Sequence, residues 1–383
     1  MKVFTNFERQ PLLFSAPRDM VRCNTLRDVP GAFSIVERWL EEGLFVAGFL
    51  SYEAGYAFEP RLFQERSFDF PLMLMAAYAP PRRQRPGNRS RGGFQLSRLQ
   101  TNVTKDEYCS DIHRSRKEIA EGEVYQITYC LKLKFDFSGD PRGLYDELFR
   151  AQPVPYAARV QFDDVHILSL SPERFMRKQG SRMLTEPMKG TWPRGRHLME
   201  DMAERQRFRK DTKNRAENVM IVDLLRNDLG RVGREISVPR LFTVTPYRTL
   251  FQMTSTVTGQ VSPDGPVRDF FAALFPSGSV TGAPKIRAMQ IIRSLEREDR
   301  RIYTGAIGYI TPKRDFYFSI PIRTVLLRGN QGEMGIGGGI VWDSTPEGEW
   351  QEGLIKARFL TDMFSGADVD AGPIHRVRSP LCF

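Results

Sequence analysis

The chain contains few of the residues on which metal clusters and disulfide frameworks depend. Among its 383 residues there are only 4 cysteines and 4 histidines, and no two cysteines form a C-x-x-C pair. A structural zinc site or a disulfide framework is therefore not indicated, because both need cysteine or histidine ligands at close spacing. We expect the thiols to be free, as is usual in the cytosol.

Long apolar runs are also missing. The longest apolar-rich stretch, residues 71–80, is about half of the roughly 20 residues that a membrane-spanning helix needs. The first residues, Met1 to Asn6, carry no secretory pattern. These absences predict a cytoplasmic protein without a membrane-bound part. We also find no internal repeat of the kind that solenoids and propellers show.

What the chain has in abundance is apolar and basic residues. Hydrophobic residues make up 41%, including 27 phenylalanines, which is ample for a large core. The net charge of +10 is partly concentrated in residues 80–98, where arginine, proline, glycine and serine without periodicity predict a solvated connector. No basic stripe interleaved with aromatic residues accompanies it, so we do not expect nucleic acid as a partner. An anionic small-molecule substrate explains the remaining positive charge.

The order of predicted elements favours an α+β protein with antiparallel sheets, because strands cluster instead of alternating with helices. We predict an N-terminal region with the basic connector at 1–100, a core at 101–365 and a tail at 366–383. Predicted strands cover 44–50, 72–78, 125–137, 156–162, 165–171, 302–310 and 316–327. Predicted helices cover 104–121, 144–150, 212–229, 284–298 and 348–364, with an exposed helix inside 192–210.

Lys189 lies in a Pro-Met-Lys-Gly-Thr turn after a predicted strand. Lysine is costly to bury, and its amine becomes a nucleophile when burial lowers its pKa. The alternative is a surface turn with a solvated lysine. Glu173, at the end of another predicted strand, is either a turn residue or a general acid, if the fold places it beside Lys189.

Three acidic residues lie on helix faces where they are unexpected. Glu217 lies four residues before Ile221 on the apolar stripe of its helix, although the helix dipole also favours acids near a first turn. Glu349, Glu352 and Lys356 share one face of the last helix, where an ordinary Glu–Lys pair is the alternative. Together the acids suggest a shared site for magnesium, which prefers carboxylate oxygens.

Glycine-rich segments could hold an anion. Residues 275–285 lead into a predicted helix whose N-terminal N–H groups could face an anion, although the spacing is not that of a Walker loop. Residues 335–339 contain four glycines, which mark either the close approach of a ligand or a bulged strand. Arg323 lies inside a predicted apolar strand and needs a carboxylate partner from protein or substrate.

A series of motifs occurs in this chain in the order in which the chorismate-utilising enzymes carry them, and the chain resembles that family from about residue 104 to residue 364. The motifs are GEVYQITYCLKL, SPERF, TEPMKGTWPRG, AENVMIVDLLRNDLGRV, FPSGSVTGAPKIRAM, IYTGAIGYI, IPIRT and GIGGGIVWDSTPEGEWQE. The first hundred residues match more loosely, mainly through GFLSYEAGYAFEP.

The resemblance implies a large two-sheet antiparallel β-sandwich flanked by helices, with the N-terminal region interleaved with the core. It also implies a reaction of chorismate in which Lys189 attacks C2 and Glu173 protonates the departing C4 hydroxyl. Ammonia then adds at C4 and expels the lysine, which gives 4-amino-4-deoxychorismate for para-aminobenzoate and folate synthesis. Related enzymes that leave their nucleophile at C2 usually have alanine at the lysine position, so anthranilate synthesis or another chorismate reaction is the alternative.

The resemblance assigns further roles. Glu217 and Glu352 match magnesium ligands, with Glu349 as a nearby acidic helper. No glutaminase motif is present in the sequence, so a separate glutamine amidotransferase subunit is implied as the source of ammonia. The residues that match substrate-binding positions are Arg323, Tyr303, Gly337, Gly339, Ser279, Thr281, Thr191, Gln252 and Lys356.

Some positions depart from the family pattern. Gln252 stands where relatives carry histidine, and from this we hypothesise that the chain does not eliminate pyruvate to form an aromatic product. Thr128 stands where relatives often carry asparagine. Residues 12–15 resemble a tryptophan-binding segment of some relatives, although such a run is more often core. A non-catalytic scaffold and a basic nucleic-acid binder are the rival function classes.

Overall fold

The computed structural model describes residues 1–84, 90, 92–247 and 250–364. The predicted tail at 366–383 and part of the basic connector lie outside these residues. Two antiparallel sheets of ten strands each form the centre of the fold. This architecture confirms the predicted α+β class and the two-sheet sandwich.

The first sheet contains the N-terminal hairpin and the glycine-rich strand β20. Its hydrogen-bonded order is β16-β8-β20-β19-β10-β9-β1-β2-β6, and β7 also pairs with β8. The strands are β1 (Lys2–Phe7), β2 (Gln10–Phe14), β6 (Arg82–Arg83), β7 (Phe94–Thr101), β8 (Gln126–Gly139), β9 (Tyr156–Phe162), β10 (Val165–Ser171), β16 (Gly282–Ala283), β19 (Thr324–Arg328) and β20 (Gln331–Ile340).

The second sheet contains the strand that carries Lys189. Its order is β13-β15-β12-β11-β18-β17-β4-β5-β3, with β14 paired to β15. The strands are β3 (Asp19–Cys23), β4 (Phe45–Leu50), β5 (Met73–Tyr78), β11 (Arg174–Gln179), β12 (Arg182–Thr185), β13 (Met188–Pro193), β14 (Gly233–Pro246), β15 (Leu250–Val261), β17 (Ala306–Ile310) and β18 (Phe316–Ser319). The N-terminal hundred residues therefore contribute strands to both sheets.

Helices cover the outer faces of both sheets. A capping box is present at the start of α2, where the Thr104 hydroxyl accepts from the Glu107 N–H and the Glu107 carboxylate accepts from the Thr104 N–H, two N–H groups that the first turn leaves free. The helices are α1 (Asp28–Glu41), α2 (Lys105–Ala120), α3 (Pro141–Ala151), α4 (Leu198–Lys210), α5 (Thr212–Gly230), α6 (Val267–Leu274), α7 (Lys285–Leu295) and α8 (Pro346–Thr361), with 3-10 turns at Tyr52–Phe58, Pro60–Leu62 and Gly278–Val280.

Three apolar clusters hold these layers together. One lies between the two sheets and joins side chains such as Val3 and Phe162 of the first sheet to Phe49 and Ile307 of the second. A second packs α1, α5 and α6 on the second sheet, and a third packs α2, α3, α7 and α8 on the first. Phe14, from the segment compared with a tryptophan site, is fully buried against the rings of Tyr78 and Tyr309.

The predicted strand at 316–327 is wrong, because two strands in different sheets occupy it. β18 ends at Ser319 in the second sheet and β19 begins at Thr324 in the first. Pro321 lies in the link, and proline has no N–H for a sheet ladder. Arg323 therefore lies in a crossover between the sheets and not inside a strand, with a positive φ of 52°. Within the described ranges, no helix has both the length and the apolar composition needed to cross a membrane.

Candidate active site

A β-bulge directs the side chain of Lys189 toward the first sheet. On β13 the pairing with β15 shifts between Lys189 and Thr191, which leaves Gly190 as the extra residue with a φ of +80°. A Cβ on Gly190 would lie 2.3 Å from the side-chain oxygen of Asn214 on α5. Only glycine fits this turn, and a bulge re-aims the neighbouring side chain.

The amine of Lys189 is enclosed by the protein. Its Nζ donates a hydrogen bond to the carbonyl oxygen of Ser279 at 3.0 Å, and lies 3.4 Å from the position that a Cβ on Gly339 would take. Burial lowers the pKa of the amine, while the charges of Glu217 and Glu173 act in the opposite direction. A lysine with a lowered pKa is a better nucleophile, because more of it carries a free lone pair.

Glu173 lies where the chain passes from the first sheet to the second, between β10 and β11. Its backbone is fixed on both sides, since its N–H donates to the Ser171 hydroxyl at 3.1 Å and its carbonyl accepts from Ile320 N–H at 3.2 Å. The side chain is 3% exposed. Burial raises its pKa to about 7, against a hydrogen bond from Ser279 and the charge of Lys189. Such a carboxyl can carry a proton at neutral pH.

Arg323 lies at the neighbouring crossover, and its carbonyl accepts a hydrogen bond from Leu170 N–H at 3.1 Å. Burial lowers the pKa of its guanidinium to about 10. Among the described residues it forms no ion pair, and the phenol of Tyr247 is the group whose charge acts on it. An unpaired, buried guanidinium is a binding site for an anion, as its fixed fork of N–H donors matches a carboxylate.

The glycines of β20 bring its backbone close to the site on two sides. A Cβ on Gly338 would lie 2.9 Å from Glu349 Oε2 and 3.7 Å from Glu352 Oε1, both on α8. A Cβ on Gly339 would lie 2.3 Å from Nε2 of Gln126. Gly337 has no room for a side chain either, because its Cβ would lie 2.2 Å from the carbonyl oxygen of Tyr129.

The predicted acidic residues come together between α5 and α8. Glu352 forms an ion pair with Lys356 at 2.6 Å, and Lys356 also donates to the carbonyl oxygen of Gly337 at 2.9 Å. Glu349 accepts a hydrogen bond of 2.6 Å from Ser344. Burial raises the pKa of Glu217 and of Glu349, whereas the charge of Lys356 lowers that of Glu352.

These carboxylates fit a magnesium ion in their chemistry. Glu217 forms no ion pair with any residue that the structure describes, and its pKa responds to the charge of Glu352. Hard divalent cations prefer such oxygen ligands and usually retain water and a substrate anion as further ligands. No group of three acidic, cysteine or histidine side chains within the described ranges is already close enough to hold a metal by itself. An ion here would therefore need ligands beyond the protein.

The loop before α7 contributes hydroxyl groups to the same space. Ser279 is 5% exposed, and its hydroxyl bonds to Glu173 while its carbonyl accepts from Lys189. Thr281 is fully buried, and its hydroxyl donates to the carbonyl oxygens of Ser277 and Gly278 at 3.1 and 3.4 Å. Ser279 thus contacts both of the predicted catalytic groups, whereas Thr281 braces the loop.

Three predicted substrate-binding residues lie at the margin of this cluster. Tyr303 bonds through its hydroxyl to Cys130, and its ring packs against Gly335, further along β20. Thr191 is exposed and pairs in register with Gln252 on β15. Gln252 is 5% exposed, and its Oε1 has no hydrogen-bond partner among the described residues. The structure does not bring these residues into contact with Lys189.

Two residues of the site escaped the sequence reasoning. Gln126 is fully buried, neither of its amide atoms has a partner in the described part of the chain, and it adjoins Gly339. Tyr247 follows β14, next to Arg323. The only sequence signal for Gln126 is its place inside a long apolar strand, where an amide needs a partner.

Arg300 was not predicted from the sequence either, and it holds in place the loops that carry the site. Its guanidinium donates to the carbonyl oxygens of Val280 at 2.8 Å and of Thr128 at 2.7 Å, and it pairs with Glu296 at 2.6 Å. It therefore ties the loop of Ser279 to β8. Thr128 itself is buried, and its hydroxyl has no partner among the residues described.

The chain is similar to known proteins in its sequence and in its fold. Residues 8–362 match the family described as chorismate binding enzyme. Aminodeoxychorismate synthase component 1 of Salmonella typhimurium is 39% identical over 270 residues, which cover 70% of this chain and 60% of that protein. Anthranilate synthase component 1 of Lactococcus lactis is 37% identical over 270 residues, which cover 70% of this chain and 59% of that protein. This chain thus spans less than two thirds of the length of these two relatives.

The fold is also similar to that of a solved structure. The crystal structure of anthranilate synthase component I from Streptococcus pneumoniae superposes with a TM-score of 0.75 at 24% identity, covering 94% of this chain and 89% of that one. The family match extends over nearly the whole chain, and it includes all fourteen site residues named from the sequence. The chain is therefore a member of the chorismate binding enzyme family.

Proposed function

We propose that the chain converts chorismate and ammonia into 4-amino-4-deoxychorismate through a covalent adduct on Lys189. The observation that carries this proposal is the position of two side chains on either side of Ser279, whose carbonyl accepts from Lys189 and whose hydroxyl bonds to Glu173. A nucleophile and an acid held by one residue can act on the same ring in one step.

In the proposed first step, the Lys189 lone pair forms a bond to C2 of the ring while both ring double bonds shift, C1=C2 to C1=C6 and C5=C6 to C4=C5. The C4–O bond breaks, and its electrons leave with the oxygen, which takes the proton of Glu173 and departs as water. Hydroxide is a poor leaving group, so the acid is needed at this oxygen. Ammonia then bonds to C4, both double bonds shift back and the lysine amine is released from C2. The covalent adduct divides one hard displacement into two easier ones.

Anion-binding groups around this pair supply the orientation. Arg323, which lacks an ion-pair partner among the described residues, would bind one carboxylate of the substrate. Gln126 and the backbone beside Gly339 would contact the substrate next to Lys189. Magnesium held by Glu217 and Glu352, with Glu349 nearby and further ligands from water and the substrate, would neutralise the ring carboxylate, which otherwise repels incoming lone pairs.

Ammonia is the second substrate, and we propose that a glutamine amidotransferase subunit supplies it in the cytoplasm. The name "component 1" of the Salmonella relative refers to one part of a larger enzyme. If the proposal is right, free ammonium salts replace that partner in vitro, since the site needs only the ammonia molecule.

Incubating the purified chain with chorismate, magnesium and ammonium, and resolving the products by chromatography, tests the proposal. We expect an amino product that gives para-aminobenzoate only after an aminodeoxychorismate lyase is added. Anthranilate synthesis is the second candidate, favoured by the Lactococcus relative at 37% identity. Anthranilate formed without any lyase would overturn the proposed product, and unchanged chorismate would overturn the proposed activity.

A further inference from the structure

Ser277 carries a buried hydroxyl that the reaction described above does not use. Its Oγ lies 3.0 Å from Oγ of Ser279 and accepts a hydrogen bond from the Ser279 backbone N–H at 3.4 Å. Ser277 is 3% exposed. Within the described residues, the Ser279 hydroxyl is the only side-chain group to which the Ser277 hydroxyl is hydrogen-bonded. The two hydroxyl groups and the Glu173 carboxyl therefore form a buried chain of polar groups.

The direction of hydrogen bonds in this chain depends on the proton of Glu173. A serine hydroxyl donates one hydrogen bond and can accept two. When Glu173 is ionised, the Ser279 hydroxyl donates to the carboxylate, and Ser277 can donate to the Ser279 oxygen. When Glu173 is protonated, Ser279 is free to turn and donate to Ser277. In the protonated state the proton of the Ser277 hydroxyl has no acceptor among the described residues, so the ionised state is the one that satisfies both hydroxyls.

We propose that Ser277 is a positioning residue that acts through Ser279 to stabilise the Glu173 carboxylate formed as the C4 hydroxyl departs. The proton of Glu173 goes to the C4 oxygen, and the electron pair of the broken C4–O bond leaves with it as water. The negative charge stays on Glu173. Ser279 then donates to that charge, and Ser277 donates to Ser279, so the polarised chain binds the new anion more strongly than Ser279 alone. This inference rests on the proposed function.

Other groups also face Glu173, and they limit the effect expected from the loss of the Ser277 hydroxyl. The backbone N–H of Met188 donates to its Oε1 at 3.4 Å, and the charge of Lys189 favours its ionised form. The phenol of Tyr247 lies within electrostatic range of the same carboxyl. Loss of Ser277 alone should therefore weaken the ionised form without abolishing it.

The test is the pH dependence of kcat for Ser277→Ala, measured with chorismate, magnesium and saturating ammonium. Because a hydrogen bond to the ionised form lowers a carboxyl pKa, we expect the alkaline decline of kcat to move up by about half a pH unit. At pH 6, kcat should fall about 3- to 10-fold, the KM for chorismate should stay within about 2-fold, and Ser277→Thr should restore both parameters.

A matched control is Ser319→Ala, which removes another fully buried serine hydroxyl, one that donates to the carbonyl oxygen of Ile307 on β17. Its pH profile should equal that of the unaltered chain, and thermal melts show that each variant is folded. A Ser277→Ala profile with an unmoved alkaline decline would overturn the proposal, whatever its kcat. Failure of the proposed function is a separate result, because it is seen in the product that the unaltered chain forms. The shift of the alkaline decline is a difference between Ser277→Ala and the unaltered chain, and it can be measured whichever chorismate product forms.

Discussion

The amine of Lys189 and the carbonyl oxygen of Ser279 are joined by a hydrogen bond of 3.0 Å. This contact holds the amine inside the protein, facing β20, where burial lowers its pKa. Lys189 is therefore half-buried and hydrogen-bonded in strand β13, whereas the alternative that the sequence left open was a solvated lysine in a surface turn. Its position makes the covalent mechanism testable by substitution.

Lys189→Ala should abolish formation of the 4-amino product, because it removes the amine that forms the adduct. We expect the rate of that product to fall by at least about 10³-fold, as is common when a covalent nucleophile is removed. Chromatography of the chorismate reaction with ammonium measures the change. An unchanged rate of the 4-amino product would rule out the lysine adduct.

The control for Lys189→Ala is Lys178→Met. Lys178 is fully buried, and its Nζ donates to the carbonyl oxygens of Pro263 and Arg314 at 2.7 and 3.0 Å, away from the site. Its loss should lower stability and leave product identity and kcat nearly unchanged. If both variants lose activity together, the effect of Lys189→Ala is one of folding and not of chemistry.

We expect Glu173 to be required for activity and, at alkaline pH, to lower the stability of the folded chain. Its pKa in the folded chain is about 7, above the 4.5 of an ordinary glutamic acid, so the folded state holds the proton more tightly than the unfolded state. The stabilising effect is complete below pH 4.5 and is lost as the pH rises through 7. Glu173→Gln should therefore raise the free energy of unfolding at pH 8 by about 1–3 kcal/mol while abolishing catalysis.

Chemical denaturation at pH 4.5 and pH 8 checks this expectation. At pH 4.5 both proteins carry a neutral side chain at position 173, so the difference between them should largely vanish. In the unaltered chain, kcat should decline above pH 7, because the acid form is lost there. An equal stability difference at both pH values would contradict the assignment of the raised pKa to Glu173.

How much of this site the sequence could reveal depends on the kind of residue. The sequence singled out Lys189 and Glu352, because a lysine in a tight turn and acids on a shared helix face are uncommon unless they have partners. The predicted turn at Lys189 is wrong, since the structure places this residue in β13 beside a bulge. Gln126 was not, since its importance follows from the pairing of β8 with β20, which places Gly339 beside it. Arg323 was placed wrongly, because the apolar run around Pro321 concealed a change of sheet.

Gln126 supports a prediction that separates binding from folding. Both of its amide atoms are buried without a partner among the described residues, and such groups cost about 1–3 kcal/mol each. Gln126→Met should therefore leave stability unchanged or raise it, while the KM for chorismate rises about 10-fold. The same change at the exposed Gln161 of β9 should alter neither quantity. A clear loss of stability in Gln126→Met would show that the amide has a structural role instead.

The carboxylates between α5 and α8 predict how the chain responds to magnesium. Activity should disappear on chelation and return on titration with magnesium, and Glu352→Gln should weaken the apparent affinity for the ion at least about 10-fold. Isothermal titration with magnesium and chorismate measures binding without turnover. Glu347→Gln is the control on the same helix, because Glu347 pairs at the surface with Lys105. Activity that persists after exhaustive chelation would contradict the metal proposal.

Gln252 stands where relatives carry histidine. A histidine titrates near neutral pH, whereas a glutamine cannot exchange a proton. Its Oε1 is buried without a partner in the described part of the chain, on the strand that pairs with the Lys189 strand. The unaltered chain should thus release no stoichiometric pyruvate from chorismate, as a coupled lactate dehydrogenase assay can measure. If the missing imidazole is the cause, Gln252→His should release pyruvate with a pH dependence near 6.5, and Gln252→Asn should not. If the unaltered chain releases one pyruvate per chorismate, the prediction is wrong. Proton transfer in that elimination then does not need a titratable side chain at position 252.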